Sequence, residues 1–254
     1  MVDEKRQFIS CMLDIGKEMV ESGAEISRVE DTLTRIGLSY GAKRVNVFAL
    51  ASNILLSIEF QGGEEITRTR RITKGLQNDF AKIEALNDLS RRFCQNNMSV
   101  FELHNEYLKI HDSNPSTSLT YFGYALASGS FALFFGGNLF DAFLAAVFGL
   151  LICFMQYKLT PLCRNSITFI IITSFVAGFG ISLVSSPFSF FHADKIMIGD
   201  IMLLVPGVAI TNSVRDIFVG DTITGTMRFV ECVLSATALA AGFMLAIFVS
   251  GGII

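Results

Sequence analysis

The chain has 254 residues, 51% of them hydrophobic, and a formal net charge of −3. A mean hydropathy of +0.51 is too high for an ordinary soluble protein, and the absence of a basic field speaks against a nucleic-acid partner. Of the 43 charged side chains 32 precede Ser113, which divides the chain into a soluble domain, residues 1–115, and a membrane domain, residues 116–254.

The N-terminus does not read as a signal peptide. Phe8, Met12, Ile15 and Met19 recur at helical spacing, and this first helix is expected to stop at Ser22-Gly23, where glycine can take the left-handed position. Ile26, Val29, Leu33 and Ile36 mark a second helix, with Glu25, Arg28, Asp31 and Arg35 outside its apolar stripe. Alternating runs around Val45-Val47-Ala49 and Leu56-Ile58-Phe60 predict two strands, with Gln61-Gly62-Gly63-Glu64 as a turn. A polar third strand, Glu65 to Ile72, is placed at an edge, where Arg68, Arg70 and Arg71 discourage pairing with another chain. With Lys74 these arginines read as a solvated face; anionic head groups or a partner are the alternative. Phe80, Ile83, Leu86, Leu89 and Phe93 give the stripe of a third helix. The capping-box pattern Ser99-Val-Phe-Glu102 opens a fourth, which carries Leu103, Tyr107 and Ile110 and ends before Asp112-Ser-Asn-Pro115. About 110 residues suffice for one modest core.

His104 and His111 share a face of that last helix. They read as solvated surface residues, because no third metal ligand accompanies them. Cys11, Cys94, Cys153, Cys163 and Cys232 have neither metal nor redox spacing and read as reduced apolar fillers. No phosphate loop or nucleophile elbow is present, so neither an enzyme nor a cofactor is expected.

The second half predicts five spans. The uncharged stretch from Ser113 to Phe140 leaves room for about 20 residues of helix. Ala142–Tyr157, Ser166–Ser185, Ile196–Val214 and Cys232–Ile254 follow, with Pro161 and Pro187 in loops. If the soluble domain is cytoplasmic, Lys158, Arg164, Arg215 and Arg228 fall in cytoplasmic loops and only Lys195 lies outside, in accord with the positive-inside rule. Frequent small residues, Ala125, Ser128, Gly129, Ala132, Ala177, Gly178 and Gly242 among them, permit close helix packing. Five short spans are few for a transport pathway, which implies self-association or a second small membrane subunit.

The fourth span is the centre of the chain. Pro206-Gly207 lies in its middle, and proline removes a donor and clashes with the preceding turn. Broken helices survive in lipid only inside protein or beside a cavity, and transporters use them to aim backbone groups at a substrate. A kinked structural helix is the plainer alternative. Acids and arginines surround the break. Asp200 lies inside the helix, Asn212, Arg215, Asp216, Asp221 and Arg228 follow it, and Glu231 opens the fifth span. Charges in or near a membrane tend to mark a pathway, whereas Asp141 and Asp194 read as merely interfacial.

Gly16, Ser22-Gly23-Ala24 and Arg28-Val29-Glu30 resemble the N-terminal signature of the threonine/serine exporter (ThrE) family. Pro206-Gly207, Asn212, Arg215-Asp216, Gly220-Asp221, Gly225, Arg228 and Glu231 resemble its membrane signature. The chain ends after five spans, unlike the fused exporters of about ten, and so is similar to the half-length, YjjP-like branch, whose members work with a separate small membrane protein. One such pair is associated with succinate export. The resemblance implies a multi-pass protein of the bacterial inner membrane with a cytoplasmic N-terminal domain. It implies export of threonine- or serine-type amino acids or, alternatively, of a dicarboxylate. Gly23, Arg28 and Glu30 are its soluble-domain motif. Arg215 or Arg228 is expected to meet a substrate carboxylate. Asp200, Asp216 or Glu231 is the candidate for a coupling proton if burial raises its pKa. A membrane-anchored sensor or scaffold is the reading from another class, and a membrane-embedded hydrolase is weaker, since His192 is the sole histidine of the second half.

Overall fold

A computed structural model describes residues 2–73, 79–96, 98–113, 116–160, 162–163 and 165–251, and side chains from residue 4 on. Lys74, Pro115, Pro161, Arg164 and the last residues of the expected fifth span lie outside this set. The chain divides into two units. One comprises residues 1–113 and 208–229, the other 114–207 and 230–254.

In the first unit, α1 (Val2–Glu21) and α2 (Ile26–Ser39) precede β1 (Ala42–Leu50), β2 (Asn53–Phe60) and β3 (Glu65–Arg71). These strands form an antiparallel sheet of order β1-β2-β3. The helices α3 (Phe80–Gln95) and α4 (Val100–His111) follow, in the order that periodicity predicts. The buried face of β2, Ile54, Leu56, Ile58 and Phe60, packs with Met12, Ile15 and Met19 of α1 and Leu33 and Ile36 of α2. The capping box forms as expected. Ser99 Oγ accepts from the Glu102 N–H and the Glu102 carboxylate accepts from the Ser99 N–H. Phe80 departs from its expected stripe and is 59% exposed, because it opens α3 where the turn below it is missing. Arg70 does not merely solvate. It bonds Asp14 at 2.9 Å and Ser10 at 3.0 Å on α1, while Arg68 and Arg71 stay exposed.

His111 keeps 40% of its side chain exposed but is bonded as well. Its Nδ1 lies 2.8 Å from Glu18 Oε2, and Lys82 Nζ donates to Glu18 Oε1 and to the His111 carbonyl, both at 2.9 Å. Burial pushes the Glu18 carboxyl up, but the bonds from Lys82 and His111 outweigh it and hold the group below its ordinary value. Cys94 is exposed, and so is not an apolar filler.

Of the second unit, α5 (Thr117–Phe134), α6 (Leu139–Leu159), α7 (Ser166–Ser185) and α8 (Ala193–Leu204) are complete. Two further helices complete the chain, α9 (Gly207–Val219) and α10 (Thr222–Gly251). Among the described residues α6, α7 and α10 are each long and apolar enough to cross a membrane, and α8 with α9 passes the same test only as a bent pair, making three or four candidate spans. The helix expected for the first of five spans exists as α5, but Thr117, Ser118, Thr120, Tyr121, Tyr124, Ser128 and Ser130 dilute its apolar content. Within this unit the helices approach closely. A Cβ on Gly178 would stand 2.7 Å from the Phe243 ring, and one on Gly129 would stand 2.9 Å from the Ala142 carbonyl, the small-residue packing that membrane helices use.

Candidate functional site

The first unit builds its charged cluster on the turn between α1 and α2. α1 ends in a Schellman motif. The Ala24 N–H reaches Met19 O and the Gly23 N–H reaches Val20 O, both at 3.0 Å, while Gly23 takes φ +90°. That left-handed step is cheap only for a residue without a Cβ. Two carbonyls of the turn then serve as acceptors. Gly23 O accepts from Asn212 Nδ2 and Ala24 O from Arg228 Nη2, each at 3.3 Å. Beside them Glu25 Oε1 accepts from Arg215 Nη1 at 2.7 Å.

Arg228 and Asp216 are each only 2% exposed, and Arg228 Nη1 donates to Asp216 Oδ2 at 3.0 Å. The Arg228 Nε–H is buried without an acceptor. α9 and α10 can bring the pair together because Gly225 has no side chain. A Cβ there would meet Ser213 O at 2.7 Å and the Ile217 nitrogen at 2.8 Å. Glu30 Oε1 accepts from the Ala49 N–H at 2.8 Å. Burial pushes the Glu30 carboxyl up, the Ala49 N–H opposes this, and the charge of Asp221 pushes it up further, leaving it above its ordinary value. Arg28 is exposed.

Thus Gly23 and Glu30 of the N-terminal motif share one unit with Asn212, Arg215, Asp216, Asp221 and Arg228. The arginines expected to meet a substrate carboxylate already have acidic partners. Arg228 is enclosed, whereas the Arg215 side chain is 60% exposed. Ala24 belongs to the N-terminal signature, whereas Glu25, which completes this cluster, had no signal beyond adjacency to it.

In the second unit, α8 ends at Leu204 because Pro206 offers no N–H to the Met202 carbonyl. The Gly207 N–H instead reaches Val205 O at 2.8 Å. Asp200, 0% exposed, meets the Ser128 hydroxyl through Oδ1, while its Oδ2 is buried without a partner. Ser128 Oγ lies also 3.0 Å from Ala145 O. Asp141, expected at the outer end of a span, lies in the first turn of α6 and is fully buried. It accepts from the Asn138 N–H, the His192 N–H and His192 Nδ1 at 2.8–2.9 Å, which ties the start of α6 to the segment before α8. Glu231 is exposed on α10. Ser128 was visible in the sequence only as one small residue among many. Among the described residues no three His, Cys, Asp or Glu side chains are grouped to hold a metal ion.

A protein-family model described as "Putative threonine/serine exporter" (ThrE) matches residues 10–250. No curated protein and no solved structure matches the chain.

Proposed function

The chain belongs to the threonine/serine exporter family, and from that premise we propose that it is a secondary-transporter subunit that carries small hydrophilic metabolites, above all threonine- and serine-type amino acids, out of the cytoplasm. The observation that carries this reading is the extent of the match, residues 10–250, which takes in the α/β unit and the apolar helices together. Several apolar helices agree with a multi-pass membrane protein. We take the α/β portion to be cytoplasmic and the membrane to be the bacterial inner membrane, with α5 completing five spans.

The backbone opened at Pro206-Gly207 is our candidate for substrate binding. The Met202 carbonyl, deprived of its helical donor, suits the ammonium of an amino acid. In the first unit, taken by itself, Arg215 is more available to a carboxylate than Arg228, since an exposed ion pair contributes little and its partner is exchangeable. Arg228 would have to leave Asp216 with a bare buried charge. Three or four candidate spans are few to enclose a pathway, so the functional unit is a self-associated form or a complex with a second small membrane subunit.

The test is export from cells expressing this chain, with and without any small membrane protein encoded beside it. Cells are loaded with threonine- or serine-containing dipeptide, or made to accumulate succinate. Amino-acid loss from the cytoplasm supports the reading, and dependence on the second chain or its absence distinguishes the two assemblies. Succinate loss alone would transfer the site to dicarboxylates. No export of either, with the protein in the membrane, would overturn the transporter reading in favour of a membrane-anchored sensor or scaffold.

A further inference from the structure

Three acids are buried among the helices that follow residue 115, and they differ in what they receive. Asp141 takes three N–H donors and Asp216 takes the Arg228 guanidinium. Both are satisfied as carboxylates. Asp200 is fully buried, receives no N–H, and touches one hydroxyl. The helices packed closely on α8 bring it no cation. α7 has no ionisable side chain, α5 has Tyr121 and Tyr124, and α6 has Asp141, Cys153, Tyr157 and Lys158, none of them bonded to Asp200. Asp194 and Lys195, at the start of α8, pair with each other.

The hydrogen count favours a protonated acid. A serine hydroxyl has one proton to donate, yet Ser128 Oγ lies between two oxygens, Ala145 O and Asp200 Oδ1. A carbonyl has no proton to contribute; a carboxylic acid does. The chain of bonds closes when Asp200 donates from Oδ1 to Ser128 Oγ and Ser128 donates to Ala145 O. The alternative is a bare carboxylate that shares one hydroxyl proton and leaves Oδ2 empty in an apolar interior, where an unpaired charge is very costly. The seat is tight as well, since a Cβ on Gly199 would stand 2.6 Å from Ser128 O.

We propose that Asp200 and Ser128 form a proton-binding site, and that release and rebinding of the Asp200 proton couples substrate export to a proton gradient. The coupling rests on the exporter reading; the proton site does not. Each cycle binds one proton at the carboxylate from one side of the membrane and returns it to water on the other, with no bond to the substrate made or broken.

Two measurements test it. Infrared spectroscopy of the full-length protein in lipid at neutral pH is expected to show a protonated-carboxyl band that moves on 13C-aspartate labelling and is missing in Asp200→Asn. Ser128→Ala keeps the acid and is expected to shift that band, which guards against a misfolded Asn variant. In everted vesicles from expressing cells, a pH gradient, acid inside, is expected to drive labelled threonine uptake by the wild type. Asp200→Asn, present in the membrane at the wild-type level, is expected to lose all gradient-driven uptake. Absence of the band overturns the proton site, and a wild-type response to the gradient in Asp200→Asn overturns the coupling. If the wild type moves no threonine or succinate, the exporter reading and the coupling fall together, while the infrared band still decides whether Asp200 holds a proton.

Discussion

At the residue scale the Asp216–Arg228 pair sets the largest expected effects. Breaking a buried ion pair by removing one partner costs about 3–5 kcal/mol, whereas replacing both partners by apolar groups is often neutral. Arg228→Met and Asp216→Leu are therefore each expected to lower the unfolding temperature sharply in detergent, and the double variant to recover most of the loss. Additive losses in the double variant would mean that the two side chains act independently. Glu30 gives a pH test. Its carboxyl titrates above the ordinary value of 4.5 in the folded protein, so the unfolded chain loses the proton first and stability falls as pH rises through that window. Glu30→Gln keeps an acceptor for the Ala49 N–H. It is expected to match the wild type near pH 4 and to exceed it at neutral pH; a constant difference across that range would contradict the assignment. The pairing of these acids was not legible in the sequence, which shows charges near one another along the chain but not that Asp216 and Arg228, 12 positions apart, close into a contact.

At the element scale, helices and strands with strong periodicity were legible, and so were the punctuation residues. Gly23 ends α1, Ser99 with Glu102 opens α4, and Pro206 ends α8, each because a local backbone requirement is written into one residue type. What periodicity could not give was the length of α10. It begins at Thr222, ten residues before the expected Cys232, because burial of Arg228 against Asp216 allows a charged segment to remain packed helix. Gly225 makes that packing possible. Gly225→Ala places a Cβ within 2.7 Å of Ser213 O and is expected to separate α9 from α10. The loss in unfolding temperature should match that of Arg228→Met, and combining the two should add little. A Gly225→Ala protein with wild-type stability would show that the approach of these helices is not needed.

At the scale of the whole molecule, the charge boundary near Ser113 was plain in the sequence, but the grouping of residues 208–229 with 1–113 was not, since it depends on bonds such as that between Ala24 and Arg228. A chain truncated to begin at residue 114 leaves Asn212, Arg215 and Arg228 without Gly23 O, Glu25 and Ala24 O. It is expected to accumulate poorly and to be cut by protease within 208–229. Co-expression of residues 1–113 as a separate chain should restore protection of that segment, and protection without it would show that the segment is self-sufficient.

The same grouping imposes an order on synthesis. Ala24 and Arg228 are 204 residues apart, and at roughly 5–20 residues per second the ribosome needs about 10–40 s to travel between them. For most of that interval the nascent N-terminal portion exists with the Gly23 carbonyl and the Glu25 carboxylate still awaiting Asn212 and Arg215, and to its end with the Ala24 carbonyl awaiting Arg228, while helices α5 to α8 are being delivered. A ribosome that stalls after α8 therefore leaves an incomplete first unit, and the last-made arginine becomes the clasp whose arrival separates finished copies from abandoned ones.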